Sequence, residues 1–170
     1  AVDLLGRSEY KAMSYGGYRT LSRDDQPSLS QIKEDLKILS AIGVKIIRTY
    51  NLQLDQASNI LKAIKTLKEE GDNFEMYVML GLWIECKNAR LSPNHDQEDL
   101  EVNSAEIERA INYANQYPEI VKIIAVGNEA MVHWQTDYFV GPSVILKWVN
   151  HLQKLKTQDK LPPDLWITSS

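Results

Sequence analysis

Val121-Lys-Ile-Ile-Ala-Val-Gly-Asn-Glu129 is an apolar run, broken only by Lys122, that stops abruptly at Gly-Asn-Glu. In parallel α/β folds, ligands bind beyond the carboxyl ends of the strands. The stretch therefore predicts a buried strand that delivers an amide, Asn128, and a carboxylic acid, Glu129, to a functional rim. A plainer alternative stays open at this point: a polar strand terminus leading into an ordinary helix cap.

The neighbouring sequence alternates compact apolar runs with amphipathic stretches. The runs fall at Lys11–Tyr15, Lys45–Tyr50, Glu75–Ile84, Val121–Val126 and Leu165–Thr168. They show little in/out alternation, the pattern of strands covered on both faces. Between them lie helical stripes. Leu29, Ile32, Leu36 and Leu39 are opened by Pro27-Ser28, with Gln31 as capping-box partner, and closed by Gly43. Ala57, Ile60, Leu61 and Ile64 form a second stripe ending at Gly71. Ile107, Ala110, Ile111 and Ala114 form a third, following Asn103 with Glu106 three residues on and stopped by Pro118. Ile145, Trp148, Val149 and Leu152 follow Pro142-Ser143 as a fourth.

The order β-α-β-α-β-α-β-α-β implies right-handed parallel crossovers. An eightfold barrel of about 250 residues uses roughly 31 per unit. Residues 1–170 are thus expected to form part of an α/β (β/α)8 TIM barrel, its first four βα units plus the fifth strand. A complete small doubly wound sheet is the alternative that the spacing leaves open. The longest polar loop, Ala89–Glu101, follows the third strand and would sit on the rim.

Composition narrows the function. The chain is 44% hydrophobic and 25% charged, with a formal net charge of −4. That balance excludes nucleic acid as an expected partner, since phosphate recognition needs clustered Lys and Arg. No apolar run approaches the roughly 20 residues of a membrane span. The lone cysteine, Cys86, rules out an intrachain disulfide. The start at Ala1-Val2-Asp3, without Met, leads us to expect that an upstream segment was removed.

Several residues bear on chemistry. A general acid must hold its proton until needed, and the dry mouth of a barrel raises a carboxyl pKa, which suits Glu129. Asn128 beside it is placed to bind a hydroxyl. Arg48 and Tyr50 close the second strand. An arginine after buried isoleucines needs a carboxylate partner, either a catalytic one or a structural salt bridge. Tyr15-Gly-Gly-Tyr18 follows the first strand, where the glycines permit a tight turn and the tyrosines a ligand contact. Trp83 ends the third strand, placed to stack on a sugar ring or to pack in the core, and Gly81 points to a close backbone approach. Trp134 and Tyr138 are weaker candidates of the same kind.

No metal or cofactor is expected. His95, His133 and His151 lack ligand spacing, and one cysteine cannot build a zinc site. The acidic loop His95–Glu101 reads as solvated, with calcium as the alternative. Ser14 lacks a nucleophile elbow, and no phosphate-binding glycine motif occurs.

Taken together, Ala12-Met-Ser-Tyr-Gly-Gly-Tyr-Arg19, Ile46-Ile-Arg-Thr-Tyr-Asn51, Met79-Leu-Gly-Leu-Trp83 and Ala125-Val-Gly-Asn-Glu129 resemble glycoside hydrolase family 17, over nearly the whole chain. The resemblance implies a barrel that cleaves β-glucan with retention, most often β-1,3-glucan. Some members transfer the glycosyl group to a second sugar instead. It implies Glu129 as acid/base, with Tyr15, Arg48, Tyr50, Asn128 and Trp83 binding substrate. It implies a polysaccharide or oligosaccharide partner, an extracytoplasmic setting, and a nucleophile on the seventh strand. That strand lies in a remaining half of the barrel, so no residue here takes that role. Glu85 does not match the position. By itself the segment would be an inactive, edge-exposed sugar-binding or structural piece.

Overall fold

The run Val121–Val126 forms a strand (β6) in which five of six residues are buried. Such a strand is stable only between neighbours. In the computed structural model, which describes residues 3–71 and 73–170, it sits inside a five-stranded sheet. The other strands are Lys11–Ser14 (β1), Val44–Arg48 (β2), Tyr77–Leu82 (β3) and Trp166–Ser169 (β7), in the order β1-β2-β3-β6-β7. Every pairing is parallel, with Ile47 beside Val78, Leu80 beside Ile124 and Ile124 beside Ile167. All five carboxyl ends therefore share one rim. The strand edges differ from the apolar runs by at most two residues, because apolar character and ladder pairing need not end at the same residue. Ala1 and Val2, on which the reading of the amino terminus rests, lie outside the described residues.

The helices are Leu29–Ala41 (α1), Asp55–Glu70 (α2), Leu100–Gln116 (α3) and Pro142–Thr157 (α4). Ser28 and Gln31 make the expected reciprocal capping box at α1. Gly43 takes the left-handed conformation (φ +89°) just past its end. Ile32 and Leu36, Ile60 and Ile64, Ile107 and Ala110, and Ile145 and Trp148 meet one sheet face, where Ile47, Val78, Leu80, Ile124 and Val126 complete the core. Each of these Ile, Leu and Val side chains contributes about 1.5–3 kcal/mol by burial. Alternate residues Ile46, Ile123 and Ala125 are buried on the other face.

The structure departs from the sequence expectation in two places. The polar loop at 89–101 is largely an antiparallel hairpin, Cys86–Lys87 (β4) with Asn94–Glu98 (β5). Its strands carry charged and amide side chains, so no apolar alternation marked them. It is also docked rather than merely solvated. Glu98 accepts from Trp148 Nε1 at 2.7 Å, from Lys147 and from Asn103, and Gly141 N donates to His95 O. Secondly, α3 begins at Leu100 with Asp99 as its cap, accepting from Val102 N at 3.2 Å. Asn103 and Glu106 are not caps. Both are fully buried within the helix.

Candidate active site

Strand β6 turns sharply where its apolar run ends. Gly127 has φ +87°, and a Cβ there would lie 2.7 Å from the Ala130 Cβ. Glu129 has φ +53°, the left-handed region that a non-glycine residue occupies at a cost. This turn carries the Asn128 and Glu129 side chains into a cleft of about 610 Å³ at the carboxyl rim of the sheet. Its walls include Tyr50 from the end of β2, Trp83 and Glu85 from the end of β3, and Asp137 and Tyr138 from the loop after Glu129. Glu129 itself is exposed. The cleft is walled, but the dry setting expected for it is not supplied by the described residues.

Four of the six candidate residues, Tyr50, Trp83, Asn128 and Glu129, thus come together. Arg48 stands behind them. Its Nη2 donates to Asn128 Oδ1 at 2.8 Å and to Ser170 Oγ at 2.7 Å, and Ser170 Oγ donates to Gly127 O. Among the described residues Arg48 pairs with no carboxylate, contrary to expectation, and its buried Nε has no partner. An amide and a hydroxyl take the place of the acid. Arg48 thereby fixes the orientation of the Asn128 amide, leaving its NH2 free of that bond.

Tyr15 is placed elsewhere. Its ring is buried against the helical layer, and its hydroxyl donates to Asp35 Oδ2 on α1 at 2.6 Å. Arg19 grips the same carboxylate through two nitrogens, at 2.8 and 2.9 Å. Burial, then the bond to Asp35, pushes the Tyr15 phenol well above its usual range. Partial burial opposes the charge on Asp35, but the bonds from Arg19 and Tyr15 outweigh it and hold the carboxyl below its ordinary value. Gly17 (φ +68°) curls over the Tyr15 ring so closely that a Cβ would meet its hydroxyl at 2.5 Å. The double glycine serves this turn. Tyr15 is a strut of the first loop, and it does not line the cleft.

Trp83 is half-buried. Its indole Nε1 donates to Glu85 Oε1 at 2.7 Å, and its ring stands edge-on to Tyr138 with centroids 5.0 Å apart. Both rings are thereby fixed at the cleft wall. The close approach signalled by Gly81 is to Thr49, whose carbonyl oxygen would lie 2.0 Å from a Cβ. Of the weaker candidates, Tyr138 reaches the cleft, whereas Trp134 stays 73% exposed and does not line it. His95 faces the Phe139 carbonyl at 2.8 Å and His133 stacks on the Phe139 ring, so both brace the loop after Glu129. Asp137, Arg23 and Arg90 line the cleft without having been singled out. They come from irregular segments, which carry no periodic signal.

This geometry defines a class of scaffold: the parallel strands and their covering helices are the amino-terminal part of a (β/α)8-type barrel. The chain is similar to one solved structure in particular, the crystal structure of an endo-laminarinase from Formosa Hel1_33_131. Identity is 60% and the TM-score 0.97, over 100% of this chain and 44% of that one. The sequence thus spans less than half the length of that enzyme. No family model matches the sequence, and no curated protein does.

Proposed function

We propose that the protein to which these residues belong is a β-1,3-glucan hydrolase of glycoside hydrolase family 17. We further propose that it acts by retention, with Glu129 as acid/base. The supporting observation is the placement of Glu129. A strained strand tip holds this carboxyl over a rim cleft walled by three aromatic rings, in a chain 60% identical to an endo-laminarinase. Strain of this kind clusters where the backbone is aimed for function.

In this reading the sugar lies across the cleft with a ring face against Trp83. Tyr50 and Asn128 bind its hydroxyls, and Arg48 keeps the Asn128 amide turned so that its NH2 faces the substrate. Glu129 gives its proton to the departing glycosidic oxygen. A carboxylate about 5–5.5 Å away attacks the anomeric carbon, and the covalent glycosyl-enzyme forms. Glu129, now ionised, takes a proton from water as that water releases the sugar. The attacking carboxylate belongs to a later strand of the barrel, and Glu85 is not assigned that part because it is engaged with the Trp83 indole. The substrate is polymeric, so an extracytoplasmic setting goes with this proposal.

The test uses the full-length protein. Glu129→Gln should lower hydrolysis of laminarin-type glucan by about 10²–10⁴-fold, the usual contribution of a positioned general acid. Formation of the glycosyl-enzyme from an aryl glucoside with a good leaving group should survive, because that step needs no proton. Undiminished laminarin hydrolysis by the variant would remove Glu129 from the mechanism.

A further inference from the structure

The cleft wall at Trp83 is built on a segment that leaves the sheet. After β3 ends at Leu82, residues 83–85 belong to no strand, and of their backbone groups Glu85 O accepts from Asp99 N at 3.1 Å. Their backbone groups must be satisfied in another way, since an unpaired buried N–H is costly. Helix α3 does this with two polar residues one turn apart, which therefore share a face. Asn103 Oδ1 accepts from Glu85 N at 2.8 Å and its Nδ2 donates to Glu85 O at 3.0 Å, copying a strand's ladder. Glu106 Oε1 accepts from Trp83 N at 3.0 Å. The same oxygen accepts from Leu52 N at 2.7 Å. Leu52 lies in the loop after β2 that carries Tyr50, Asn51, Gln53 and Leu54 to the cleft. The second oxygen of Glu106 takes Arg109, at 3.1 and 3.3 Å.

One fully buried carboxylate thus ties together the two neighbouring rim segments that carry Tyr50 and Trp83. A buried charge of this kind is costly merely to hold two helix turns in place. Burial indeed raises the carboxyl's pKa against the bonds that favour its charged form. Four donors converge on two oxygens, a demand that no neutral side chain of this size can meet. The neighbouring Glu85 carboxylate, fixed by Asn103 through its backbone, in turn holds the Trp83 indole.

We propose that Glu106, with Asn103 beside it, is a positioning residue for sugar binding: it sets the Trp83 ring at the height and tilt that a pyranose face requires. This rests on the reading of Trp83 as a sugar platform. Glu106 touches no substrate and acts through the backbone of Trp83.

The test is a double-mutant cycle on the full-length enzyme with β-1,3-gluco-oligosaccharides as substrate. In Glu106→Gln, one amide oxygen must choose between the rim N–H groups and Arg109, and the NH2 opposes the donors left over. With Trp83 present this should raise KM by about tenfold with a smaller change in kcat, short of the roughly hundredfold that a 1 Å misplacement can cost. In a Trp83→Ala background the same substitution should raise KM by clearly less, about threefold, because the ring is gone and only the bond to Leu52 beneath the Tyr50 loop is left to lose. Equal effects of Glu106→Gln in both backgrounds, or no effect where Trp83→Ala is impaired, would overturn the positioning role and leave the platform standing. A silent Trp83→Ala would overturn the platform, and the positioning role with it. Should Glu106→Gln fail to fold, Asn103→Ala in the same cycle asks the same question and is judged by the same outcomes.

Discussion

Gly81→Ala offers the sharpest test of how the rim is held. Gly81 lies in β3 two residues before Trp83, against the end of β2. A Cβ added there would sit 2.0 Å from the Thr49 carbonyl oxygen and 3.0 Å from its carbon. The obstacle is backbone, so no rotamer change relieves it. The strands must part by at least 1.0 Å to restore a contact of about 3 Å. Two hydrogen bonds are strained by that movement: Gly81 N to Thr49 Oγ1 at 3.0 Å and Thr49 N to Met79 O at 3.1 Å. Each is worth about 1 kcal/mol net, and overpacking adds about 1–3, so the loss should be near 4 kcal/mol. Gly71→Ala is the matched control, since its φ of −158° suits any residue and nothing lies within 4 Å of its Cβ. It should stay within about 0.5 kcal/mol of the parent. Denaturant unfolding of the full-length protein, read from midpoint and slope, measures both. Gly81→Ala falling within about 0.5 kcal/mol of the Gly71→Ala control would refute the close approach between β2 and β3 at the rim.

Three further outcomes follow from particular contacts. Asp35→Asn should destabilise by about 1.5–3 kcal/mol, the range for hydrogen bonds to a charged group, and equilibrium unfolding reads it. The native Asp35 carboxyl sits below its ordinary value, so its contribution is complete above about pH 4 and is lost as pH falls through the native value. The difference between parent and Asp35→Asn should therefore shrink only in that acid window; a gap that closes near neutrality would contradict the pairing. Trp148→Phe deletes the indole donor to Glu98 while leaving Lys147 and Asn103 on that carboxylate. Backbone amides of residues 94–98 should exchange faster than in the parent, with those of α1 and α2 unchanged. On the proposed function, Arg48→Met should release the Asn128 amide and lower turnover of β-1,3-glucan, at a loss of about 1.5–3 kcal/mol for the bonds from Nη2 to Asn128 and Ser170; intact turnover would show that Asn128 needs no such support.

The architecture was legible because burial on both faces writes itself as unbroken apolar runs, and a helix packed on one side writes itself as a stripe. Ile123 and Ile124 are both buried, on opposite faces, which is why β6 could be read so directly. The capping box at Ser28 is likewise a local rule that local residues obey. The hairpin of β4 and β5 failed that test, since its stability comes from Glu98 reaching Trp148 on a helix 50 residues away. Asn103 and Glu106 misled for a related reason. Their spacing copies a cap, yet Asp99 caps the helix and frees them to serve other segments. Tyr15 was drawn to the site by its neighbours in sequence, whereas its ring direction was decided by Asp35, twenty residues on.

Most residues that sequence reading placed on the rim stand at strand tips, whereas Ser170, Thr49, Asn103 and Glu106, which hold those tips in place, were not read as doing so. A strand delivers a side chain to the rim but leaves the next backbone groups without a ladder. Each tip here is finished by polar groups from elsewhere. Arg48 and Ser170 finish the turn at Asn128, Thr49 finishes Gly81, and Asn103 with Glu106 finishes residues 83–85. These partners come from other strands and from a helix, at sequence distances set by the fold. A site of this type can therefore vary its cleft side chains with little loss of stability so long as the backbone partners stay. Substituting those partners should disturb the proposed sugar binding even though none of them need touch the ligand.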